Sequence, residues 1–222
     1  MRRCRRLIAR LRHVQQRRGV LRAAIDLDQA FEKWEETCVP SYCHSNPAAA
    51  YVSWLRLFKA VDLVRETAPD MCRALDFGAS VGEHGHLLDS GVTYEFIEQD
   101  DAAASFLSNQ IPSAVRRTLE DAPKESYDAV FAIDALEHND NFAELVGELS
   151  RLLKPGGVFI ISGPTENSLY RLGRRIAGFQ GDYHVTTIYK IEAAAEQHME
   201  RVGLSTVPFG APLFRVSAWR RS

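Results

Sequence analysis

Long apolar runs are missing from this 222-residue chain. No stretch of about 18 apolar residues occurs, so no transmembrane helix is expected. Cysteine is scarce: Cys4, Cys38, Cys43 and Cys72 are scattered, and Cys38 and Cys43 stand too far apart for C-x-x-C and lack a second pair. Neither a zinc site nor a disulfide framework is expected, and reduced thiols in a cytoplasmic protein are the reading. Acid is absent from one place, since the first 22 residues hold nine arginines and no Asp or Glu. The net charge of −2 therefore hides a polarity, with 18 basic against 29 acidic residues, or −11, in the remainder. Aromatics are absent from the same stretch, which disfavours a nucleic-acid arm.

What the first stretch does contain is Leu7, Leu11, Val14, Leu21 and Ile25 near helical spacing. A helix there carries an apolar stripe flanked by arginine. It can pack as a surface element of the domain, or residues 1–22 can touch an anionic membrane. The composition also suits an organellar transit peptide, but no cleavage signal accompanies it. The 45% hydrophobic content suffices for one sizeable core. We expect a basic helix and helical cap over 1–70 and one main domain over 71–222. In the cap, Phe31, Trp34, Tyr42, Tyr51, Trp54, Leu55, Leu57 and Phe58 recur at helical intervals, mostly as core, and Ser45-Asn46-Pro47 marks a helix start.

Short apolar runs at 73–77, 94–97, 128–133 and 158–161 alternate with helix-length segments. That pattern predicts an α/β fold, a doubly wound, mostly parallel sheet. Ligands of such sheets lie beyond the carboxyl ends of the strands, where strand order reverses, so Asp76, Glu98 and Asp134 are expected to converge on one crevice. The first strand runs into Asp76-Phe77-Gly78-Ala79-Ser80-Val81-Gly82. A glycine turn that opens a helix offers backbone N–H groups to a nucleotide.

Two readings of that turn each cost one substitution. Ser80-Val81-Gly82-Glu83-His84-Gly85 fills the dinucleotide fingerprint G-x-G-x-x-G without its first glycine. Residues 76–82 resemble motif I of class I methyltransferases that use S-adenosylmethionine (SAM), D-x-G-x-G-x-G, with Ser80 at the middle glycine. A second strand ending in Glu98 suits the ribose hydroxyls of either cofactor. Two later stretches discriminate: Tyr127-Asp128-Ala129-Val130 leading to Leu136-Glu137-His138, and Leu152-Leu153-Lys154-Pro155-Gly156-Gly157. They resemble F-D-x-V…L-E-H and L-K-P-G-G of the methyltransferase type 11/12 families, related to ubiquinone and menaquinone biosynthesis enzymes. The likeness is strongest over 73–162, and dehydrogenases do not carry these motifs.

The resemblance implies a seven-stranded Rossmann-like methyltransferase domain preceded by a helical extension, with SAM as cofactor. Asp76 and the backbone of Gly78, Ala79, Ser80 and Gly82 would hold the methionine portion. Glu98 would take the ribose hydroxyls, Gln99 would lie beside the adenine, and Asp134 would line the crevice. Relatives present an Asp to the adenine amino group where this chain has Thr118, so Glu120 or the Leu119 backbone would serve. An alcohol or phenol acceptor needs a base or a metal to remove its proton. The candidates are Asp134, Glu137, His138 and His184. Their D-x-x-E-H…H spacing is similar to the metal site of small-RNA 2′-O-methyltransferases and suits Mg²⁺ or Mn²⁺; whether a metal is used stays open. His138 either positions the acceptor or makes a structural hydrogen bond, and His84 and His86 are expected at the surface or the cofactor edge.

The stretch 163–184 is expected to build the acceptor pocket, with Arg171, Arg174 and Arg175 either binding an anionic group or forming a solvated face. A helix over 188–202 capped by Gly203, then antiparallel strands at 205–209 and 214–219, would close the fold. The implied activity is methyl transfer to a small-molecule or lipid-like acceptor, at oxygen, in the cytoplasm or at a membrane surface. The alternative is a non-catalytic SAM-fold protein that binds partners through its arginine arm.

Overall fold

The computed structural model describes residues 2–24, 39–176, 185–208 and 212–222, with side chains placed except at 2–5 and 173–176. Ile25, Phe31, Trp34, Cys38, His184 and Phe209, and the side chains of Cys4, Arg174 and Arg175, lie outside the described residues. By compactness the chain separates into residues 1–55 and 56–222.

In the first unit, helix α1 (Arg2–Ala24) divides its apolar stripe. Val14 and Leu21 are buried, whereas Leu7, Ile8 and Leu11 are 49%, 43% and 47% exposed. The buried half is fastened by Arg18, which donates to the His44 carbonyl at 2.5 Å, and by Arg22, which donates to that of Cys43 at 2.8 Å. A short helix α2 (Val39–Tyr42) follows. Helix α3 (Pro47–Thr67) starts where Asn46 Oδ1 accepts the Ala48 N–H at 2.9 Å, with proline in the first turn. Trp54 is fully buried and meets His13 edge-on, and Leu57 and Phe58 are buried farther along the same helix.

The second unit is built on a seven-stranded sheet of order β3-β2-β1-β4-β5-β7-β6. Its strands are β1 (Arg73–Phe77), β2 (Thr93–Ile97), β3 (Val115–Arg116), β4 (Tyr127–Ile133), β5 (Leu153–Pro164), β6 (Met199–Val207) and β7 (Phe214–Arg221). Strands β1 to β5 pair in parallel and β7 runs antiparallel to both neighbours. Near-continuous burial of β1, β2 and β4 is what coverage on both faces demands. The covering helices are α4 (Asp101–Gln110), α5 (Phe142–Leu152), α6 (Ser168–Ile176) and α7 (Ile188–Glu196). Strand order reverses between β1 and β4, so the crevice opens at their carboxyl ends.

Two local expectations fail. The helix after the glycine turn is replaced by a 3₁₀ turn, Gly85–Leu87. Gly82, Gly85 and Gly91 in this short connection make a poor helix, so the turn gains no helix dipole. The helix predicted over 188–202 stops at Glu196, and Gly203 sits inside β6 opposite Ala218 instead of capping it. Pairing Met199, Glu200 and Arg201 with β7 satisfies that strand's backbone groups, a tertiary demand that overrides the local helical pattern.

Candidate active site

Past Phe77 the chain turns through Gly78, Ser80 and Gly82, with φ of +71°, +49° and +80°. A Cβ on Gly78 would stand 2.4 Å from that of Ala135, and one on Gly82 would stand 2.5 Å from Leu107 Cγ. Both handedness and space therefore require glycine there. Ser80 adopts the left-handed conformation with a side chain, at roughly 1–2 kcal/mol, and its buried Oγ has no hydrogen-bond partner. Strand β2 holds the turn. Gly78 and Ala79 donate to the Ile97 carbonyl at 2.9 and 3.3 Å, and Ser80 N–H donates to Glu98 Oε2 at 2.7 Å. Glu98 Oε1 accepts from Asp100 N–H at 2.9 Å. Each carboxylate oxygen retains a lone pair for a further donor.

Asp76 is anchored through one oxygen. Its Oδ2 accepts from Tyr94 Oη at 2.8 Å and lies 3.2 Å from His84 Nδ1. His84 is therefore not at the surface, but 4% exposed with its ring against Phe131, beside the carboxyl that opens the glycine turn. The missing helix explains this: the tighter turn folds His84 inward to partner the buried carboxyl. Thr118, the other departure from the motif, closes a reciprocal turn. Its N–H donates to Asp121 Oδ1 at 2.9 Å, and Asp121 N–H donates to its Oγ1 at 3.2 Å. That turn sets Leu119 half-buried against the core and leaves Glu120 exposed, as Gln99 is.

At the end of β4, Asp134 sits at φ +52°. Its N–H donates to the Ser162 carbonyl at 3.0 Å, and its Oδ1 accepts from Ser162 Oγ at 3.2 Å. Its Oδ2 forms an ion pair with Arg56 of α3, whose guanidinium lies 4.3 Å over the Phe214 ring. In the turn Leu136–His138, Glu137 is fully buried and neither carboxyl oxygen has a partner. Its backbone carbonyl accepts from Val185 and Thr186 N–H at 2.9 and 3.4 Å, and the buried Thr186 hydroxyl is also unpartnered. Burial pushes the Glu137 carboxyl well above its ordinary range; Asp134 and Glu166 add to the effect and Arg56 opposes it.

The structure thus places Asp76, Glu98 and Asp134 around one turn, with the Asp76 carboxyl drawn to His84 and Tyr94. Glu137 and His138 diverge, the first sealed and the second exposed. Among the described residues no group of three His, Cys, Asp or Glu side chains is arranged to hold a metal ion. Sequence reasoning missed Arg56, Tyr94, Ser162 and Thr186. Only Arg56 left a signal, a lone cation inside the apolar run Trp54-Leu55-Arg56-Leu57-Phe58.

A sheet of this order, with a glycine turn after β1 and an acidic residue after β2, defines a class I methyltransferase. The chain belongs to a methyltransferase-domain family, whose model matches residues 2–208, and it is a SAM-dependent methyltransferase. A solved structure similar to it is N-methyltransferase NodS from Bradyrhizobium japonicum WM9 with S-adenosylhomocysteine (SAH), 13% identical, covering 89% of this chain and 99% of that one, TM-score 0.67. Another is PH0226 protein from Pyrococcus horikoshii OT3, 16% identical over 78% of this chain and 92% of that one, TM-score 0.64. A third is magnesium protoporphyrin IX methyltransferase from Synechocystis PCC 6803 with SAH, 14% identical over 80% and 88%, TM-score 0.62. No curated protein matches the sequence. Among the described residues no helix is long and apolar enough to cross a membrane.

Proposed function

We propose that this chain methylates an oxygen of a small-molecule or lipid-like acceptor seated beyond the carboxyl ends of β4 and β5. The residues present suit SAM: the turn is closed to side chains at Gly78 and Gly82, and Glu98 holds it through the Ser80 N–H. When bound, SAM supplies an activated methyl group on a sulfonium leaving group. The chain's own task is to align the acceptor and remove its proton.

The observation that carries the oxygen reading is the carboxyl pair Asp134 and Glu137 at the end of β4. A neutral amine needs no base before attack, whereas a hydroxyl does. Asp134 fixes the charge at the crevice floor, sealed Glu137 tunes it, and exposed His138 is placed to receive the acceptor's proton. His184 lies outside the described residues and keeps its role here only by resemblance. The motif departure at Thr118 is absorbed by a reciprocal turn with Asp121, and Ser80 keeps the turn's left-handed geometry at a cost, which favours an enzyme over a non-catalytic binder.

A lipid-like acceptor also gives the arginine arm a use. We place membrane contact on the amino-terminal half of α1, where Leu7, Ile8 and Leu11 are exposed beside Arg6 and Arg12, because Arg18 and Arg22 are engaged with backbone carbonyls. Basic residues near an anionic surface contribute about 1 kcal/mol each. Cosedimentation with phosphatidylserine vesicles, and not with phosphatidylcholine vesicles, is expected, and equal recovery with both would overturn the electrostatic part.

The central test supplies SAM labelled with ¹³C at the methyl group to a panel of phenols, alcohols, amines and prenylated quinols. The carbon shift of the product methyl then identifies the attacked atom. An O-methyl product bears out the reading; an N-methyl or C-methyl product refutes the oxygen assignment while leaving SAM chemistry intact. His138→Ala is expected to keep SAH affinity and lose about 10²-fold in turnover.

A further inference from the structure

Two acidic side chains, Asp134 and Glu166, act on the fully buried Glu137 where β4 and β5 end. Both sit at positive φ, 52° and 50°. Buried carboxyls held this close need a counter-charge. Among the described residues the cation acting on this cluster is Arg56, its side chain only 6% exposed, ion-paired to Asp134 Oδ2 and stacked on Phe214. The D-x-x-E-H spacing suits a divalent ion, yet the group on Asp134 is a guanidinium. A divalent ion brought to the same carboxylate would face that positive charge at contact distance in a poorly screened site. Glu137 is fully buried and His138 exposed, and among the described residues no group of three His, Cys, Asp or Glu side chains is arranged to hold a metal ion.

We propose that Arg56 is the resident cation of this site: its guanidinium gives Asp134 the counter-charge that the motif spacing would otherwise ask of Mg²⁺ or Mn²⁺, and it keeps divalent ions out. Arg56 acts through Asp134 and is a positioning residue. Methyl transfer then proceeds without added metal, whichever acceptor atom is attacked. The inference rests on the methyltransferase reading only for that last consequence, because cation occupancy can be measured without turnover.

The test is Mn²⁺ titration of the full chain followed by electron paramagnetic resonance, alongside SAH calorimetry in EDTA and in Mg²⁺. The wild type is expected to show no Mn²⁺ site that Asp134→Asn removes, and the same SAH affinity in both buffers. Arg56→Met, which keeps length and loses charge, is expected to gain Mn²⁺ affinity by at least about tenfold, and adding Glu137→Gln is expected to abolish the gain. Arg56→Lys, which keeps a cation, is expected to gain nothing. A wild-type Mn²⁺ site that is lost in Asp134→Asn would overturn the proposal, and that arm needs no Arg56 variant to fold. So would an Arg56→Met protein that binds SAH normally and acquires no Mn²⁺ site. SAH binding in every arm reports the methyltransferase reading separately, so failure of one is distinguishable from failure of the other.

Discussion

In the middle of β2, Glu95 is buried like Asp134 and Glu137 at the carboxyl ends, but its surroundings, drawn mostly from the amino ends of β1 and β4, are complete. Its oxygens accept from Arg73 at 2.6 Å, Arg117 at 2.7 Å and Tyr127 Oη at 2.9 Å. Burial alone would raise its pKa, yet these three donors outweigh it and hold the carboxyl below its usual range. Asp128 beside it follows the same pattern, with Lys154 and the N–H groups of Cys72 and Arg73 overcoming burial. The other end of the sheet is left unfinished. Positive φ occurs at both ends, at Glu125 before β4 and at Ser80, Asp134 and Glu166, but only the carboxyl ends leave Ser80 Oγ, Glu137 and Thr186 Oγ1 without partners among the described residues. One sheet thus has an end whose buried carboxyls are matched and an end whose buried polar groups are not, as expected where geometry serves chemistry.

The comparison breaks most visibly at Glu95. Glu95→Ala leaves two guanidinium groups and a buried phenol unpaired, and is expected to lower stability by roughly 3–5 kcal/mol in urea unfolding. A loss below about 1 kcal/mol would mean that the matched end contributes no more than a surface pair. Because the folded Glu95 pKa is depressed, its contribution is present above the ordinary carboxyl range and is lost as pH falls through the lowered value. Glu95→Gln should therefore flatten the acid limb of the stability curve.

Asp76 lies between the two regimes, paired yet next to the glycine turn. Asp76→Ala is expected to weaken SAH binding by roughly 1.5–3 kcal/mol in calorimetry. Tyr94→Phe, which removes one of the bonds anchoring that carboxyl, should produce a smaller loss of the same sign. An unchanged affinity in Tyr94→Phe would separate loop anchoring from cofactor contact.

The unfinished end predicts the opposite pH sign. Glu137 has a raised folded pKa, so its contribution is fully present below the ordinary value of 4.5 and is lost as pH rises toward the raised value. Between those limits the wild type should lose about 1.4 kcal/mol per pH unit through this group. Glu137→Gln should remove that slope and be the more stable protein at neutral pH; parallel wild-type and variant curves would refute the burial argument. Smallest of all, Ser80→Gly relieves left-handed strain and deletes an unpartnered hydroxyl, offset by the added entropy of unfolded glycine. A net gain of a few tenths to about 1 kcal/mol is expected in thermal unfolding.

The alternation of apolar runs, the glycine turn and the positions of Glu98 and Asp134 were readable because they depend on period, handedness and spacing within short segments. So were the start of α3 at Asn46-Pro47 and the helical arginine arm. The inward turn of His84, the end of α7 at Glu196 and the seal over Glu137 were not. Each depends on a partner distant in sequence: Asp76 for His84, strand β7 for residues 199–201, and the backbone at 185–186 for Glu137. Arg56 is the clearest case. Its apolar setting marked it as unusual, but only the packing of α3 against the strand ends supplies Asp134 and Phe214, and so decides which cation occupies the site. The sequence by itself determined fold class and the strand ends that frame the crevice, since backbone geometry and hydrophobic period are local properties, and its motif resemblance supplied the cofactor. Tertiary structure alone decided which buried charges are matched and which are left in tension, since that balance depends on distances between segments that no local pattern encodes.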